Sequence, residues 1–151
     1  MITLDLMNAR PRALAPKDLH SLSPLLTRAL HVRGTVTIGI RFVSLEEIQA
    51  LNRTFRRKNR PTDVLSFSAR EETEAPVSPK KNGNKEDYWG DLAICPDYAK
   101  EEAARRALTL REELLRLITH GVLHLAGYDH TTEEEELKMF AIQEKIISAL
   151  V

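Results

Sequence analysis

Apolar positions alternate with polar ones in some stretches and recur every three or four residues in others, and the switches between these periods mark out the elements of the chain. An opening strand is expected near Ile2 to Met7, followed by a helical region between Pro16 and Leu30. Pro24 leaves the form of that region open: after Ser23 it suits the first turn of a new helix, whereas inside one continuous helix it removes a hydrogen bond. Val36, Ile38, Ile40 and Phe42 alternate with Thr37, Gly39 and Arg41, the pattern of a half-buried strand. Ser44 and Glu47 have capping-box spacing ahead of the apolar Ile48 and Leu51, so a helix begins there. Residues 64–68 and 91–95, rich in Val, Leu, Ile and Phe, read as two further short strands. Between them, from Glu71 to Asp87, acids, lysines, Pro76, Pro79 and Gly83 follow neither period, which reads as a mobile loop.

The rest of the chain reads as helical. An Ala-rich helix is expected from about Asp97 to Leu108, and Thr109 with Glu112 places the start of the next near Leu110. Leu110, Leu114, Leu117, Ile118 and Leu125 supply its apolar stripe. Thr132 with Glu135 begins a last helix, for which Leu137, Phe140, Ile147 and Leu150 are the expected core face. This is an α+β pattern rather than a repeated βαβ series, and no internal repeat, P-loop or dinucleotide fingerprint accompanies it. With 151 residues, 42% hydrophobic and 29% charged, the chain suits one compact domain over residues 1–151 and is too short for two ordinary ones. The lone Cys95 excludes an intramolecular disulfide framework and, in its apolar setting, reads as a buried thiol. No apolar run approaches the roughly 20 residues that span a bilayer, so no membrane association and a cytoplasmic location are expected.

Chemistry enters where the apolar helix meets a glycine. His120-Gly-Val-Leu-His124-Leu-Ala-Gly127-Tyr-Asp-His130 sets two histidines one turn apart on one helix face, and Gly127 permits a turn that swings His130 back toward them. Three imidazoles on one ion leave a fourth tetrahedral position for water, as in catalytic rather than structural zinc. Zinc is the leading ion, one per chain, and nickel, copper and iron also accept imidazole ligands. The spacing matches the long zincin signature HExxHxxGxxH at every position but one, because Gly121 stands where the glutamate general base of a metalloprotease would be. A peptidase reading therefore lacks its central acid–base group.

Charge sharpens the choice of substrate. Residues 1–60 hold 11 Lys/Arg against 4 Asp/Glu, while residues 61–151 hold 11 against 18, although the whole chain is neutral. Arg53, Arg56, Arg57, Lys58 and Arg60 form a run without an acid, suited to phosphates or equally to a solvated loop. Aromatic residues make up only 5%, too few for an extensive base-stacking platform.

The histidine motif, together with Asn52-Arg-Thr-Phe-Arg-Arg-Lys-Asn-Arg-Pro-Thr-Asp-Val-Leu-Ser-Phe67 and Gly90-Asp-Leu-Ala-Ile94, resembles the YbeY family of bacterial metal-dependent endoribonucleases. The resemblance implies a compact α+β fold with a mixed sheet of about four strands and a zincin-like three-histidine site. It also implies a single-strand-specific RNase of ribosomal RNA maturation, especially the 3′ end of small-subunit RNA, and of ribosome quality control, with ribosomal or small-subunit partners. Its zinc ligands fall on His120, His124 and His130, and its essential arginine on Arg56. Phe55 stands where the family often has tyrosine, and Ser68 where proline is common. A metal-activated water attacking an RNA phosphodiester, with Arg56 on the phosphate, is the expected chemistry; attack by the RNA 2′-hydroxyl is the other route. Arg56 has a structural alternative, pairing with a carboxylate of the fold. Asp63, Asp91 and Asp129 are candidates to orient a ligand imidazole or meet substrate, and each suits a turn or strand-start role as well. Arg53, Arg57, Lys58 and Arg60 are the further candidates for RNA phosphates. A hydrolase of a small phosphate or amide substrate and a noncatalytic ribosome-binding module are the alternative functions; nothing points to DNA.

Overall fold

A computed structural model describes residues 1–69, 88–128 and 131–151. Its elements run β1 (Ile2–Leu6), α1 (Pro16–Ala29), β2 (Val36–Phe42), α2 (Leu45–Arg56), β3 (Val64–Ser68), β4 (Tyr88–Ile94), α3 (Pro96–Arg105), α4 (Leu110–Leu125) and α5 (Glu133–Leu150). The sheet has the order β1-β2-β4-β3, with β1, β2 and β4 parallel and β3 antiparallel to β4. This is the mixed four-stranded α+β arrangement expected. Side chains alternate between the faces of a strand, so Leu92 and Ile94 of β4 enter the larger core with α1, α4 and α5, while Ala93 enters a smaller core with Ile48 of α2. Cys95 is buried and unpaired in that smaller core, where burial pushes its thiol pKa up, so it is the apolar thiol expected.

Pro24 does not split α1. The helix runs through it because Leu22 and Leu26, on either side, are both wholly buried, and Thr27 Oγ1 accepts the Ile2 N–H at 2.8 Å. Asp18 ties this helix to α4: its carboxylate accepts the Ala15 N–H at 2.8 Å and Arg111 Nε and Nη2 at 3.0 and 2.9 Å. Burial alone would raise the Asp18 pKa, but Arg111 and the Ala15 N–H outweigh it and the pKa is lowered. The helix expected to end near Leu108 ends at Arg105, because Ala107 turns left-handed (φ 54°) and the Leu108 N–H closes onto the Ala103 carbonyl at 2.9 Å. The capping residues of α2, α4 and α5 are those expected, with Ser44, Thr109 and Thr132 accepting from Glu47, Glu112 and Glu135 N–H, each at 3.1 Å.

Two expectations fail. The buried face of α5 is Met139, Ile146 and Ile147, whereas Leu137 and Phe140 are 63% and 58% exposed. At about 100° per residue, Phe140 sits a quarter-turn round from Met139 and Leu137 further still, so the face that docks on α4 excludes both. The strand expected at 91–95 begins three residues earlier, at Tyr88, which pairs with Thr37 before a register shift. Gly90 lies just past that irregularity with φ +140°, and a Cβ there would run into the Phe67 carbonyl of β3. The segment from Glu71 to Asp87 lies outside the described residues.

Gly90→Ala should therefore strain the backbone and push β3 off β4, lowering stability by about 3 kcal/mol or more. Urea denaturation of the two proteins measures it; an unchanged midpoint would refute the close approach.

Candidate active site

Helix α4 lies on the sheet face that carries Leu92, and its approach is set by Gly121. A Cβ at Gly121 would stand 2.6 Å from Leu92 Cδ2 and 2.9 Å from Cδ1, and Leu92 is itself wholly buried. Glycine at this point lets the helix axis come close to β4, and the residues on either side of it, His120 and His124, are turned toward the gap between α4 and β3. Their rings meet edge to face with centroids 4.6 Å apart. The two Nε2 atoms are 3.1 Å apart. His120 Nδ1 lies 3.1 Å from Gln143 Oε1; an amide oxygen accepts, so Nδ1 carries the proton and Nε2 presents its lone pair toward His124.

That geometry fits a metal. An ion with tetrahedral Zn–N bonds of about 2.0–2.1 Å holds its ligand nitrogens roughly 3.3 Å apart, close to the spacing found between the two Nε2 atoms. Neutral, nitrogen-donor imidazoles with one ring oriented by an amide are also the donor chemistry that zinc takes. Among the described residues no group of three His, Cys, Asp or Glu side chains assembles into a metal cluster. His130 and Asp129 lie outside the described residues.

The histidines open into a cleft of about 620 Å³ whose walls include Arg56, Asp63, Ser66, Arg106, Arg116 and Gln143. β3 is the last strand of the sheet, and Arg56 reaches from the end of α2 round its edge. Arg56 Nη2 donates to the Ser66 carbonyl at 2.6 Å and Nη1 to the Phe55 carbonyl at 3.2 Å, while its Cζ stands 5.2 Å from the centre of the Phe67 ring. Among the described residues Arg56 is in no ion pair, so its positive charge is not cancelled by a fold carboxylate. Phe55, in the place of the tyrosine noted above, packs edge to face on Phe67 with centroids 5.6 Å apart.

Two further arginines line the cleft. Arg106 bonds the buried carboxylate of Glu113, which raises the Arg106 pKa against the opposing effect of burial. Arg116 bonds Glu144 of α5. Asp63 is on the cleft wall, but its Oδ1 accepts the Val64 N–H at 2.7 Å and the Thr62 hydroxyl at 3.3 Å, so it caps the start of β3. Asp91 is not brought to the histidines. It bonds the Tyr88 hydroxyl and lines a separate groove beside α2, with Arg41 and Phe67. Arg53, Arg57, Lys58 and Arg60 are exposed and none of them lines the histidine cleft. Their segment is held by Asn52 Nδ2, which donates to the Arg60 carbonyl at 2.9 Å.

Sequence reasoning missed Gln143, Arg106, Glu113 and Arg116. Arg116 had a signal, since it precedes His120 by four residues on the same helix face. Gln143 had none, because its place depends on the register of α5 against α4.

Imidazoles and uncancelled guanidinium charge sharing a polar cleft define a hydrolytic enzyme for an anionic substrate. The model of the family described as endoribonuclease YbeY matches residues 14–151. The chain is 46% identical over 140 residues to endoribonuclease YbeY of Sulfurihydrogenibium sp. (92% of this chain, 86% of that one). It is 45% identical over 118 residues to that of Halalkalibacterium halodurans (77% and 73%). A solution structure from Thermotoga maritima superposes with a TM-score of 0.62 at 33% identity, covering 99% of this chain and 89% of that one. The chain belongs to the YbeY endoribonuclease family.

Gly121→Glu would restore the HExxH spelling, yet it should abolish folding rather than confer peptidase activity, because Leu92 occupies the space. Circular dichroism and a peptide-cleavage assay on the soluble fraction check this; a folded, peptide-cleaving variant would contradict the packing.

Proposed function

We propose that this protein is a zinc-dependent, single-strand-specific endoribonuclease of ribosomal RNA maturation, cleaving near the 3′ end of small-subunit RNA in the cytoplasm and associating with ribosomal particles. The observation that carries the reading is the convergence of His120 and His124 Nε2 at 3.1 Å in a cleft that Arg56 also lines. His120 and His124, with His130 as third ligand, would hold the ion. When bound, zinc supplies Lewis acidity, lowering the pKa of water and drawing charge from a phosphoryl oxygen. Everything else falls to the chain. Arg56 binds the phosphate and stabilises the charge that develops on its nonbridging oxygens, a role its unpaired guanidinium permits. Gln143 fixes the His120 ring and its tautomer. Arg106 and Arg116 add positive potential that holds the RNA backbone in the cleft. The reading fits the family described above and the endoribonuclease names of its members.

Elemental analysis coupled to an RNA cleavage assay tests both halves. His124→Ala should lose zinc and cleavage together, and excess zinc should rescue it poorly because a ligand is gone. An equally active, zinc-free His124→Ala would refute the site. Arg56→Ala should keep its fold and zinc while cleavage falls about 10²–10³-fold. Unfolding of that variant at the same concentration would instead make Arg56 a structural residue.

A further inference from the structure

The cleft has a wall that the proposed chemistry leaves unused. Helices α4 and α5 run antiparallel, with His120 against Gln143, Arg116 against Glu144, and Arg111 Nη2 donating to the Leu150 carbonyl at 3.4 Å. In that register Phe140, about one turn nearer the start of α5 than Gln143, stands level with His124. Its direction also follows. Counted round the helix axis, Phe140 lies between Gln143 and Glu144, the two residues that α5 extends toward the cleft. Phe140 is 58% exposed and Leu137, one turn away on the same flank, is 63% exposed. Scattered exposed apolar side chains need no explanation, but an aromatic and a leucine side by side at the mouth of a polar cleft are a surface with one evident use.

Charge decides what lies on that surface. Arg56, Arg106 and Arg116 make the cleft wall cationic, whereas Glu133, Glu134, Glu135 and Glu136 crowd the first turn of α5. A polyanionic strand is drawn to the arginines and repelled from α5, so its phosphates lie along the first and its bases turn toward the second. A neutral π-face is what Phe140 can accept there. We propose that Phe140, supported by Leu137, is a stacking platform for one unpaired base of the RNA next to the cleaved phosphate. This rests on the RNA-cleaving reading above and deepens it, since a base held in a duplex cannot reach the ring: single-strand selectivity would arise partly here.

The test uses zinc-replete protein and a synthetic single-stranded RNA in which one abasic nucleotide is moved through the positions flanking the cleavage site. Stacking on an aromatic ring is worth enough that the abasic change at one position should raise KM roughly 5- to 100-fold for the wild type, with a smaller effect on kcat. Phe140→Ala should show that KM on intact RNA and become indifferent to the abasic change at the same position, while Phe140→Tyr should retain wild-type behaviour. Phe140→Leu serves in place of the alanine variant if the latter does not fold. An abasic penalty that persists in full in the variant, or a variant with wild-type KM, overturns the stacking role alone. Unchanged kinetics on naked RNA with weakened binding to ribosomal particles would assign the surface to a protein partner and overturn it too. A wild type that cleaves no RNA at all sinks the underlying reading, which the intact substrate reports separately.

Discussion

The approach of α4 to β4 at Gly121 is the contact on which the rest of the site depends. A glycine inside a helix costs about 1 kcal/mol relative to alanine, and here the cost is offset by sealing Leu114, Leu115, Ile118 and Val122 against the sheet. A thicker residue would lift the helix and carry both imidazoles away from the β3 edge. The motif's odd position is thus a packing requirement. The glutamate found there in peptidases has no room, and the chemistry is left to the metal ligands and the cations around them.

Rigidity comes from the second helix. Gln143, Glu144 and the Leu150 carbonyl bind three successive polar groups of α4, so α5 is fastened along the length of the helix that bears the histidines. Groups aimed at a developing charge are effective when they need not move to meet it. Asp18 extends the same bracing to α1 through Arg111, where a buried carboxylate with two guanidinium bonds and a capped N–H leaves little freedom.

The mixed sheet, most elements and the two described histidines were legible because they rest on local signals: capping pairs at Ser44, Thr109 and Thr132, alternation from Val36 to Phe42, and an i,i+4 spacing. What was not legible depended on how elements meet. Phe140 and Leu137 looked like core by periodicity, and only the register of α5 against α4 shows Met139 in that place. Pro24 looked like a break, and the burial of Leu22 and Leu26 overrode it. Asp91 stands in a motif shared with the histidines, yet strand alternation sends it to the opposite face from Leu92, while Gln143 and Arg106 arrive from elements whose sequence carries no mark of the cleft.

Arg56 has a consequence for the whole molecule as well. The outer edge of an outermost strand offers backbone groups on which a strand from another molecule can assemble, and a charged side chain laid across it is one way proteins resist such self-association. By taking the Ser66 carbonyl, the Arg56 guanidinium covers β3 in this way. Colloidal behaviour and chemistry are therefore invested in the same side chain. Selection for one constrains the other, and monodispersity is a property to be followed whenever this position is changed.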